Sequence, residues 1–591
     1  MTEPGSLTTW TPRWRALLLA ALIGCTPALR VQPPAETRPA ITAADVRSRI
    51  YLIAHDSMQG REAGEAGNVT MTNYIAEELA RIGLEPAGDN GTYFQTIPMV
   101  RRRPDSTSSL TVGNEALAIF TDFAPIRPTS SLRSGTRFTA SGVATVYGGR
   151  AGDTTISLQP HQVAGKIVVL DAPLGSDGKP TPVYATPTGL AVSQFPSAAA
   201  VAVTALDLLS EAGKASVRGR GNGLGVYANN PPLALLISRR AAEKLMGAPL
   251  ESLRPGTPGR SASARIGFID EPVRAPARNV VAILRGSDPR LRGQFVAIGA
   301  HSDHIGINQR PVDHDSLRAV NKVMRPEGRQ TPLRVPTPNE LVRIRSILDS
   351  MRRLAPPRPD SINNGADDDG SGSVAALEIA RTLMAGARPR RSILFVWHTA
   401  EEGGLLGSSW FVDNPTVSRD SIVAQLNMDM VGRGPDSLRA PPRTLQIIGS
   451  RRLSTQLGDI VEAVNRSRAT PFRIDYSYDA PRHPLNRYCR SDHYNYARRG
   501  IPITYFSRGY HEAYHMVTDE AQYIDFEGLV EVASLVRDVA AAIANQDERL
   551  IVDKPRMNPR APCLQYAVAS TRESPLFPKR SPSAFRHPGP C

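Results

Sequence analysis

Apolar residues recur every three to four positions in two segments near the start of the chain, a spacing that predicts amphipathic helices. In the first segment Thr42 and Asp45 form a pair typical of a helix start, and the apolar positions that follow are Val46, Ile50 and Ile53. The second segment, roughly 69–83, ends at a glycine and carries its apolar stripe at Met71, Ile75, Leu79 and Ile82. Both helices are expected to be framework elements of the segment 41–124.

Between about 125 and 272 the pattern changes to short β-runs separated by Gly, Pro and Asp, which predicts an inserted β-rich domain. Within this domain the Ala-rich stretch near 197–213 predicts a helix. From 278 to 545 strand and helix patterns alternate, as in a sheet flanked by helices. The sequence therefore predicts an α/β domain built from 41–124 and 273–545, with 125–272 inserted into it.

Two basic, Pro-rich segments carry much of the net charge of +14. The segment 307–363 has eleven Lys/Arg against six Asp/Glu, and the tail 546–591 has eight against four. Neither places aromatic residues among the basic ones, as a surface that stacks nucleic-acid bases does, so we predict no nucleic-acid binding. We expect the tail to be largely unstructured.

The segment 307–363 interrupts the α/β pattern and reads as an extra insert. One amphipathic helix is indicated there, by the apolar positions Leu341, Ile344, Leu348 and Met351. In the sequence this insert lies close to the polar segments described below. It either narrows a substrate cleft or decorates the surface, and the sequence leaves both alternatives open.

Residues 1–25 have the features of an export signal: two arginines, a short apolar run and then Leu22-Ile23-Gly24-Cys25. The last four residues resemble a bacterial lipobox, in which the cysteine is lipidated and begins the mature chain. The alternative is a plain secretory signal with a chance cysteine. We expect an exported protein in the cell envelope, anchored by lipid at Cys25 to the outer membrane, with 26–40 as a linker.

Composition excludes other classes of protein. With 41% hydrophobic and 21% charged residues the chain is of globular type. It contains no run of about 18 apolar residues, which excludes a polytopic membrane protein. Four cysteines rule out a disulfide scaffold. If Cys25 is lipidated, at most one bridge can form among Cys489, Cys563 and Cys591.

Four apolar β-runs in the second half of the chain, 295–300, 392–397, 422–426 and 503–506, each lead to residues of the kind that bind metals. These residues are His301 and Asp303, Glu401 and Glu402, Asp429, and a loop with His511, Tyr514, His515 and Asp519. A fifth segment, Gly365-Ala-Asp-Asp-Asp-Gly-Ser-Gly372, precedes a helix. Because ligands collect at the carboxyl ends of strands in open α/β sheets, we expect these side chains to converge on one crevice.

Taken singly, each of these residues would be an ordinary loop residue, helix cap or surface carboxylate. Several carboxylates in one crevice, however, repel each other unless a cation holds them together. Two imidazoles and three carboxylates suit Zn²⁺ best, with Co²⁺ or Mn²⁺ possible. Two ions sharing five protein ligands need one bridging carboxylate, and hydrolysis needs a base that is not a ligand. The adjacent residues Glu401 and Glu402 can supply one metal ligand and one base that is not a ligand.

These motifs resemble, in order, those of the M28 family of co-catalytic zinc peptidases: His301-Ser-Asp303, Gly365 to Gly372, Thr399-Ala-Glu-Glu402, Asn427-Met-Asp-Met430 and Tyr514-His515. The resemblance implies an α/β three-layer sandwich with a mixed, mostly parallel central sheet flanked by helices. The inserted domain resembles a protease-associated domain at Val163-Ala-Gly-Lys-Ile-Val-Val-Leu170 and Ile237-Ser-Arg-Arg-Ala-Ala242. The chain departs mildly at Met516, where a threonine is more usual.

The resemblance also implies roles for individual residues. Asp367 would bridge two zinc ions, next to a cis peptide bond to Asp368. One ion would be completed by Glu402 and His515, and the other by His301 and Asp429. Glu401 would be the general base that activates a metal-bridging water. Residues implied near the pocket are Asp303, which would orient His301, and Asp368, Asp492, His493 and His511; His304 and His398 are interpreted as bystanders.

The function implied is that of an exopeptidase, an aminopeptidase that releases N-terminal residues from peptide substrates. One alternative is a carboxypeptidase of the glutamate carboxypeptidase type, for which pocket arginines would neutralise a free carboxylate. Others are a non-catalytic receptor or scaffold, which predicts lost metal ligands although none is lost here, and a glutaminyl cyclase, whose relatives lack the inserted domain.

Overall fold

We describe the protein from a computed structural model. The described residues are 40–129, 134–153, 155–174, 179–180, 192, 194–225, 232–435, 443–481, 483, 485–556 and 563. The predicted signal peptide with Cys25, almost all of the linker, and the tail from 564 onward lie outside them. Among the described residues no helix combines the length and the apolar character needed to cross a membrane.

Both helices predicted near the start of the chain are present, as α1 (Ala43–Ile53) and α2 (Ala66–Ile82). The Thr42 side chain accepts a hydrogen bond from the Asp45 N–H at 3.2 Å, and α2 ends at Gly83 in the left-handed conformation (φ 88°). The short strands β1 (Glu85–Pro86) and β2 (Phe94–Thr96) follow. Both add to the edge of the main sheet.

A β-rich unit comes next in the chain. Its strands are β3 (Met99–Pro104), β4 (Ser109–Val112), β5 (Glu115–Leu117), β6 (Phe123–Pro125), β7 (Arg137–Val143), β8 (Thr145–Arg150), β9 (Ile167–Asp171), β10 (Ala200–Val203), β11 (Gly221–Leu224), β12 (Leu233–Ile237) and β13 (Ala262–Pro272). They form one sheet in the order β6-β12-β10-β9-β8 and another in the order β11-β3-β13-β4-β5, with β7 on β13. Its helices are α3 (Pro160–Val163), α4 (Glu211–Arg218) and α5 (Arg239–Met246).

Two sequence predictions about this unit are corrected. Strand pairing begins at Met99, because β3 pairs with β13, so the expected boundary at 124/125 falls inside the unit. The helix expected near 197–213 is instead strand β10, which lies between β9 and β12 in parallel register. All four residues of β10 are buried, so its apolar character reflects burial on both faces and not a helical stripe.

The second half of the chain contains β14 (Arg278–Leu284), β15 (Phe295–His301), β16 (Ile307–Asp313), β17 (Pro359–Ile362), β18 (Ser392–His398), β19 (Ile422–Met428), β20 (Thr444–Ile448), β21 (Arg473–Asp475) and β22 (Ile503–Ser507). Its helices are α6 (His314–Met324), α7 (Pro338–Arg352), α8 (Gly370–Ala385), α9 (Leu406–Asp413), α10 (Thr455–Arg466), α11 (His493–Ala497) and α12 (Phe526–Ala544). The main sheet runs β1-β14-β18-β15-β19-β22-β20-β21.

Successive residues of the central strands point into two different cores. In β14, Val280, Ala282 and Leu284 pack with α1, α2, α8 and α12, whereas Val281 and Ile283 pack with α9 and α11 on the other face. The strands β18, β15, β19 and β22 are parallel, while β14 and β20 join them antiparallel. The predicted three-layer α/β fold with a mixed, mostly parallel sheet is confirmed.

The insert predicted at 307–363 is bracketed by β16 and β17, which pair antiparallel. The predicted helix is α7, capped by a reciprocal pair of hydrogen bonds between Thr337 and Glu340. A second helix, α6, was not foreseen. Its buried face includes polar residues, among them His314, Asp315 and Asn321, so no apolar stripe marks it in the sequence.

Cys489 and Cys563 form a disulfide, which selects one of the three pairings left open by the sequence. Both residues pack in the core on the α9–α11 face of the sheet. The bond ties residue 563, beyond α12, to the segment just before α11 across a separation of 74 residues.

We expect Cys563→Ser to lower the free energy of unfolding by about 2–4 kcal/mol, because the bond restricts a long loop of the unfolded chain. Thermal unfolding with and without a reducing agent measures this. Reduction should lower the Tm of the wild type and leave that of the variant unchanged; equal effects on both would contradict the bond.

Candidate metal centre

Parallel strands deliver the predicted site residues to one edge of the main sheet. His301 is the last residue of β15, Glu401 comes three residues after β18, and Asp429 directly follows β19. His515 lies in the loop that follows β22. The prediction that these strands bring their polar residues into one crevice is confirmed.

Asp368 lies at the centre of this crevice. Its Oδ1 is 3.2 Å from His301 Nε2, and its Oδ2 is 3.0 Å from His515 Nε2. Asp429 joins the first of these contacts, with Oδ1 4.0 Å from His301 Nε2, and Glu402 joins the second, with Oε2 3.0 Å from His515 Nε2. One carboxylate therefore faces two sets of metal-type donors, one through each oxygen.

Asp367, the residue predicted to bridge two metal ions, does not occupy this position, which belongs to its neighbour Asp368. Its Oδ1 accepts the Gly432 N–H at 2.7 Å, and its Oδ2 lies 3.1 Å from His511 Nε2. The cis peptide bond also falls one residue later than predicted, between Asp368 and Asp369. Three consecutive aspartates present identical chemistry in a sequence, and only the backbone direction distinguishes them.

The two neighbours of Asp368 in the crevice wall hold the chain in place. Asp369 caps α8 by accepting the Gly372 N–H at 2.9 Å, and its other oxygen accepts the His301 N–H at 3.0 Å. Asp519, from the loop after β22, accepts the backbone N–H groups of Asp367 and Asp368 at about 3.1 Å. Both carboxylates are fully buried, so these contacts fix the orientation of Asp368.

Glu401 lies at the rim of the same site, with Oε2 4.0 Å from His301 Nε2. Its backbone N–H donates to the Asp303 carboxylate at 3.1 Å. Asp303 also meets the His301 ring: its backbone carbonyl is 3.0 Å from Nδ1, nearer than its carboxylate at 3.7 Å. Asp303 thus orients both residues, and for His301 it does so mainly through its main chain.

Burial and neighbouring charges strongly shift the pKa values of the acidic and imidazole side chains of this site. Burial raises the pKa of Glu401 well above its usual range, and the charges of Glu402 and Asp429 add to this effect against that of His301. Burial likewise raises the pKa of Asp429 to about 6. Burial would lower the pKa of His515, but Glu402 and Asp368 outweigh it and raise that pKa to about 10.

The donor set fits a divalent cation such as zinc. His301 Nε2, both ring nitrogens of His304 and Glu402 Oε1 are buried and have no aligned hydrogen-bond partner within the described residues. Carboxylates and imidazoles, drawn to within about 3–4 Å of one another, are the ligands that Zn²⁺ takes. Bound cations would compensate the clustered negative charge.

A comparison with known protein families bears on this site. The model of the family described as "Peptidase family M28" matches residues 279–540, which include every residue placed at the site above. Residues 279–540 belong to peptidase family M28. The match begins in β14 and ends within α12, so it covers the main sheet from β14 onward and leaves out the β-rich unit.

Curated relatives match about a third of the chain. Leucine aminopeptidase 1 of Penicillium rubens is 30% identical over 183 residues, covering 29% of this chain and 45% of that protein. Leucine aminopeptidase 1 of Aspergillus oryzae is 30% identical over 195 residues, covering 30% and 47%. The chain thus spans about half the length of the curated relatives it matches.

Among solved structures, the aminopeptidase from Aneurinibacillus sp. strain AM-1 superposes with a TM-score of 0.42 at 18% identity, covering 88% of this chain and 98% of that one. BSAP, a zinc aminopeptidase from Bacillus subtilis, gives a TM-score of 0.41 at 16% identity, with coverages of 87% and 98%.

His304, interpreted from the sequence as a bystander, belongs to the site of this M28 domain. Its Nδ1 lies 2.8 Å from Glu402 Oε1 without the alignment of a hydrogen bond, and its ring contacts that of His515 edge-on. With Asp368 and Glu402 it forms a group able to hold a cation. The only sequence signal was its position three residues after His301 on the same strand end.

The other residues predicted near the pocket have different neighbours. Asp492 pairs with His398 (Oδ2–Nδ1 3.4 Å), another residue interpreted as a bystander. His493 donates from Nε2 to the Tyr488 carbonyl at 2.8 Å and stacks on Tyr505, within the core. Ser491, which was not foreseen, accepts a hydrogen bond at 2.9 Å from the side chain of Asn427, two residues before Asp429.

The insert reaches the loop that carries His515. The Arg329 N–H donates to the Tyr514 carbonyl at 3.1 Å, and a Cβ on Gly328 would lie only 2.5 Å from that same carbonyl oxygen. His314 Nε2 lies 3.2 Å from Glu520, on the far side of the loop. The insert is therefore more than a surface decoration, because it packs against the loop that carries His515 and supports it.

Asp368→Asn and Asp367→Asn form a matched pair that tests which aspartate lies between the two donor sets. Asp368→Asn should lose most bound zinc, because it weakens donors on both sides at once. Asp367→Asn should retain zinc with an affinity reduced by about 10–100-fold at most, as for outer hydrogen-bonding residues. Metal content after dialysis measures both, and the reverse order would restore the sequence assignment.

Zinc binding to the metal-free protein should release protons, because His515, with its pKa of about 10, is protonated at neutral pH and must lose its proton to coordinate. Affinity should therefore rise with pH up to about pH 10, above which His515 of the metal-free protein has already lost its proton. Calorimetric titrations in buffers of different ionisation enthalpy measure the number released. An affinity that does not change with pH would contradict these protonation states.

Proposed function

We propose that this chain is a di-zinc exopeptidase, most simply an aminopeptidase that releases N-terminal residues from peptides. The observation that carries the proposal is the Asp368 carboxylate, shared between two sets of imidazole and carboxylate donors beside a glutamate that belongs to neither. One set is His301 and Asp429. The other is Glu402 and His515, with His304 as a further donor.

Two zinc ions in these sets would supply Lewis acidity towards a peptide carbonyl and lower the pKa of water. The chain's own residues supply the rest. Glu401 is close to His301 but is not needed to complete either set, so its carboxylate is available to accept a proton from water and pass it to the departing amine. The raised pKa of Glu401 in its buried surroundings suits both transfers.

The surroundings of the site support removal of residues from the N-terminus of a peptide rather than from its C-terminus. Met430, Tyr510 and Tyr514 form a small apolar cluster with Leu485, directly next in sequence to Asp429 and His515. An apolar N-terminal side chain would pack there, while the buried carboxylates near the metals would attract its free amine. The curated relatives named leucine aminopeptidase 1 support the same direction.

We also propose export and lipid anchoring at Cys25, on the evidence of the N-terminal sequence alone. The β-rich unit is proposed to be a protease-associated domain. Neither proposal bears on the chemistry of the site.

Glu401→Gln should lower kcat for Leu-anilide and for Leu-terminated peptides by at least about 10²–10⁴-fold, while zinc content stays unchanged. Zinc analysis and product identification by mass spectrometry measure this on protein lacking residues 1–25. Glu527→Gln, an exposed glutamate on α12, is the matched control and should leave the rate unchanged.

Release of only a C-terminal residue, tested with a peptide ending in Glu, would replace the aminopeptidase by the carboxypeptidase alternative. Zinc bound without turnover of any substrate would support a non-catalytic receptor.

A further inference from the structure

A cavity of about 320 Å³ lies where the β-rich unit meets the metal centre. Its inner end is lined by Asp303, His304 and Glu402, and its outer walls include Arg101, Arg127 and Arg220. We call it the arginine pocket. It opens next to the reacting groups but is separate in its residues from the apolar cluster around Tyr514.

The β-rich unit is fitted closely against the Glu402 segment at this point. A Cβ on Gly403 would lie 2.7 Å from the Asn222 amide nitrogen, and one on Gly404 would lie 3.1 Å from Thr129. The wall of the pocket is therefore held directly on the residues that follow the metal-site glutamate, which places its side chains within reach of any peptide bound there.

The three arginines differ in how far their charge is compensated. Arg101 is paired with Glu62 at 2.7 Å and with Glu65 at 3.0 Å. Arg220 is mostly exposed and lies 3.4 Å from Glu271. Arg101 is thus neutralised inside the pocket, where Glu62 is also a lining residue.

Arg127 is different. Its Nη1 donates to the backbone carbonyls of Ser216 and Gly219, and no carboxylate of the described residues lies within ion-pair distance of it. Gly221 leaves room for its guanidinium, since a Cβ there would come within 2.6 Å of Nε. A largely buried guanidinium that is held in place only by carbonyl groups keeps donors and a full charge for a partner.

We propose that the arginine pocket binds a carboxylate of the peptide substrate through Arg127, with Arg220 adding positive charge at the mouth. Carboxylates are the anions that peptides carry, and a planar guanidinium binds them in a fixed, two-point geometry. The carboxylate is either the C-terminus of a short peptide or an Asp/Glu side chain. This inference rests on the proposed function for its substrate class.

The test uses Leu-Ala-Ala as free acid and as C-terminal amide, and the amidated peptides Leu-Glu-Ala and Leu-Gln-Ala. Their Kd values are measured on zinc-loaded Glu401→Gln protein, and kcat/KM on the wild type. At least one acid should bind about tenfold or more tightly than its neutral partner, as for a charge-assisted hydrogen bond. The first pair reports a C-terminal carboxylate and the second a side-chain carboxylate.

Arg127→Gln in the same background should reduce the acid-to-neutral ratio to about one, and Arg220→Gln should reduce it partially. Because Arg220 is mostly exposed, its variant keeps the test open if Arg127→Gln fails to fold. Arg265→Gln, on an exposed position of β13 outside the pocket, is the control and should keep the wild-type ratio.

Equal Kd values within both pairs would overturn the inference even if Leu-anilide is cleaved, and the proposed function would stand. A preference for the acids that survives Arg127→Gln and Arg220→Gln would overturn it as well. A preference lost in these variants, in a protein that cleaves no substrate, would support the pocket and refute the peptidase.

Discussion

The structure depends on one constraint: the carboxylate of Asp368 must stay buried among three other acidic side chains. Asp429, Glu401 and Glu402 all lie around the same two histidines, in surroundings that strengthen every charge interaction. His301 and His515 hold the pKa of Asp368 well below its usual range against the effect of burial. Such a cluster persists only if the backbone carrying it cannot relax outward, so the site demands a rigid frame before it can bind anything.

That frame is made of backbone hydrogen bonds to buried charged groups. Asp519 accepts the backbone N–H groups of Asp367 and Asp368, while Arg61 donates to the carbonyls of Asn364 and Gly365. Arg61 is itself fully buried and comes from the segment between α1 and α2. This explains why the first segment of the chain, far from the catalytic motifs in sequence, belongs to the same domain.

Much of this arrangement could be predicted from the sequence, because apolar β-runs that end in ligand-type residues encode both the sheet and the edge where the site lies. His301, Glu401, Glu402, Asp429 and His515 were located in this way. Register within Asp367-Asp-Asp369 could not be, since identical side chains carry no directional information. His304 was missed because a single histidine in a loop has no periodic partner, and β10 was misread because a strand buried on both faces lacks alternation.

The two insertions into the M28 fold share a physical role that composition conceals. In the basic segment 307–363, two of the cations are engaged within the protein: Arg318 lies 3.4 Å from the Tyr523 ring centre, and Arg352 pairs with Asp315 at 2.9 Å. The segment also supports the loop that carries His515, through the His314–Glu520 contact and the backbone hydrogen bond from Arg329 to Tyr514. The β-rich unit approaches the opposite ligand, Glu402, and there leaves one cation, Arg127, uncompensated by any described carboxylate. One insertion supports the loop that carries His515, and the other places Arg127 in a pocket with Glu402, so both insertions adjoin the same site.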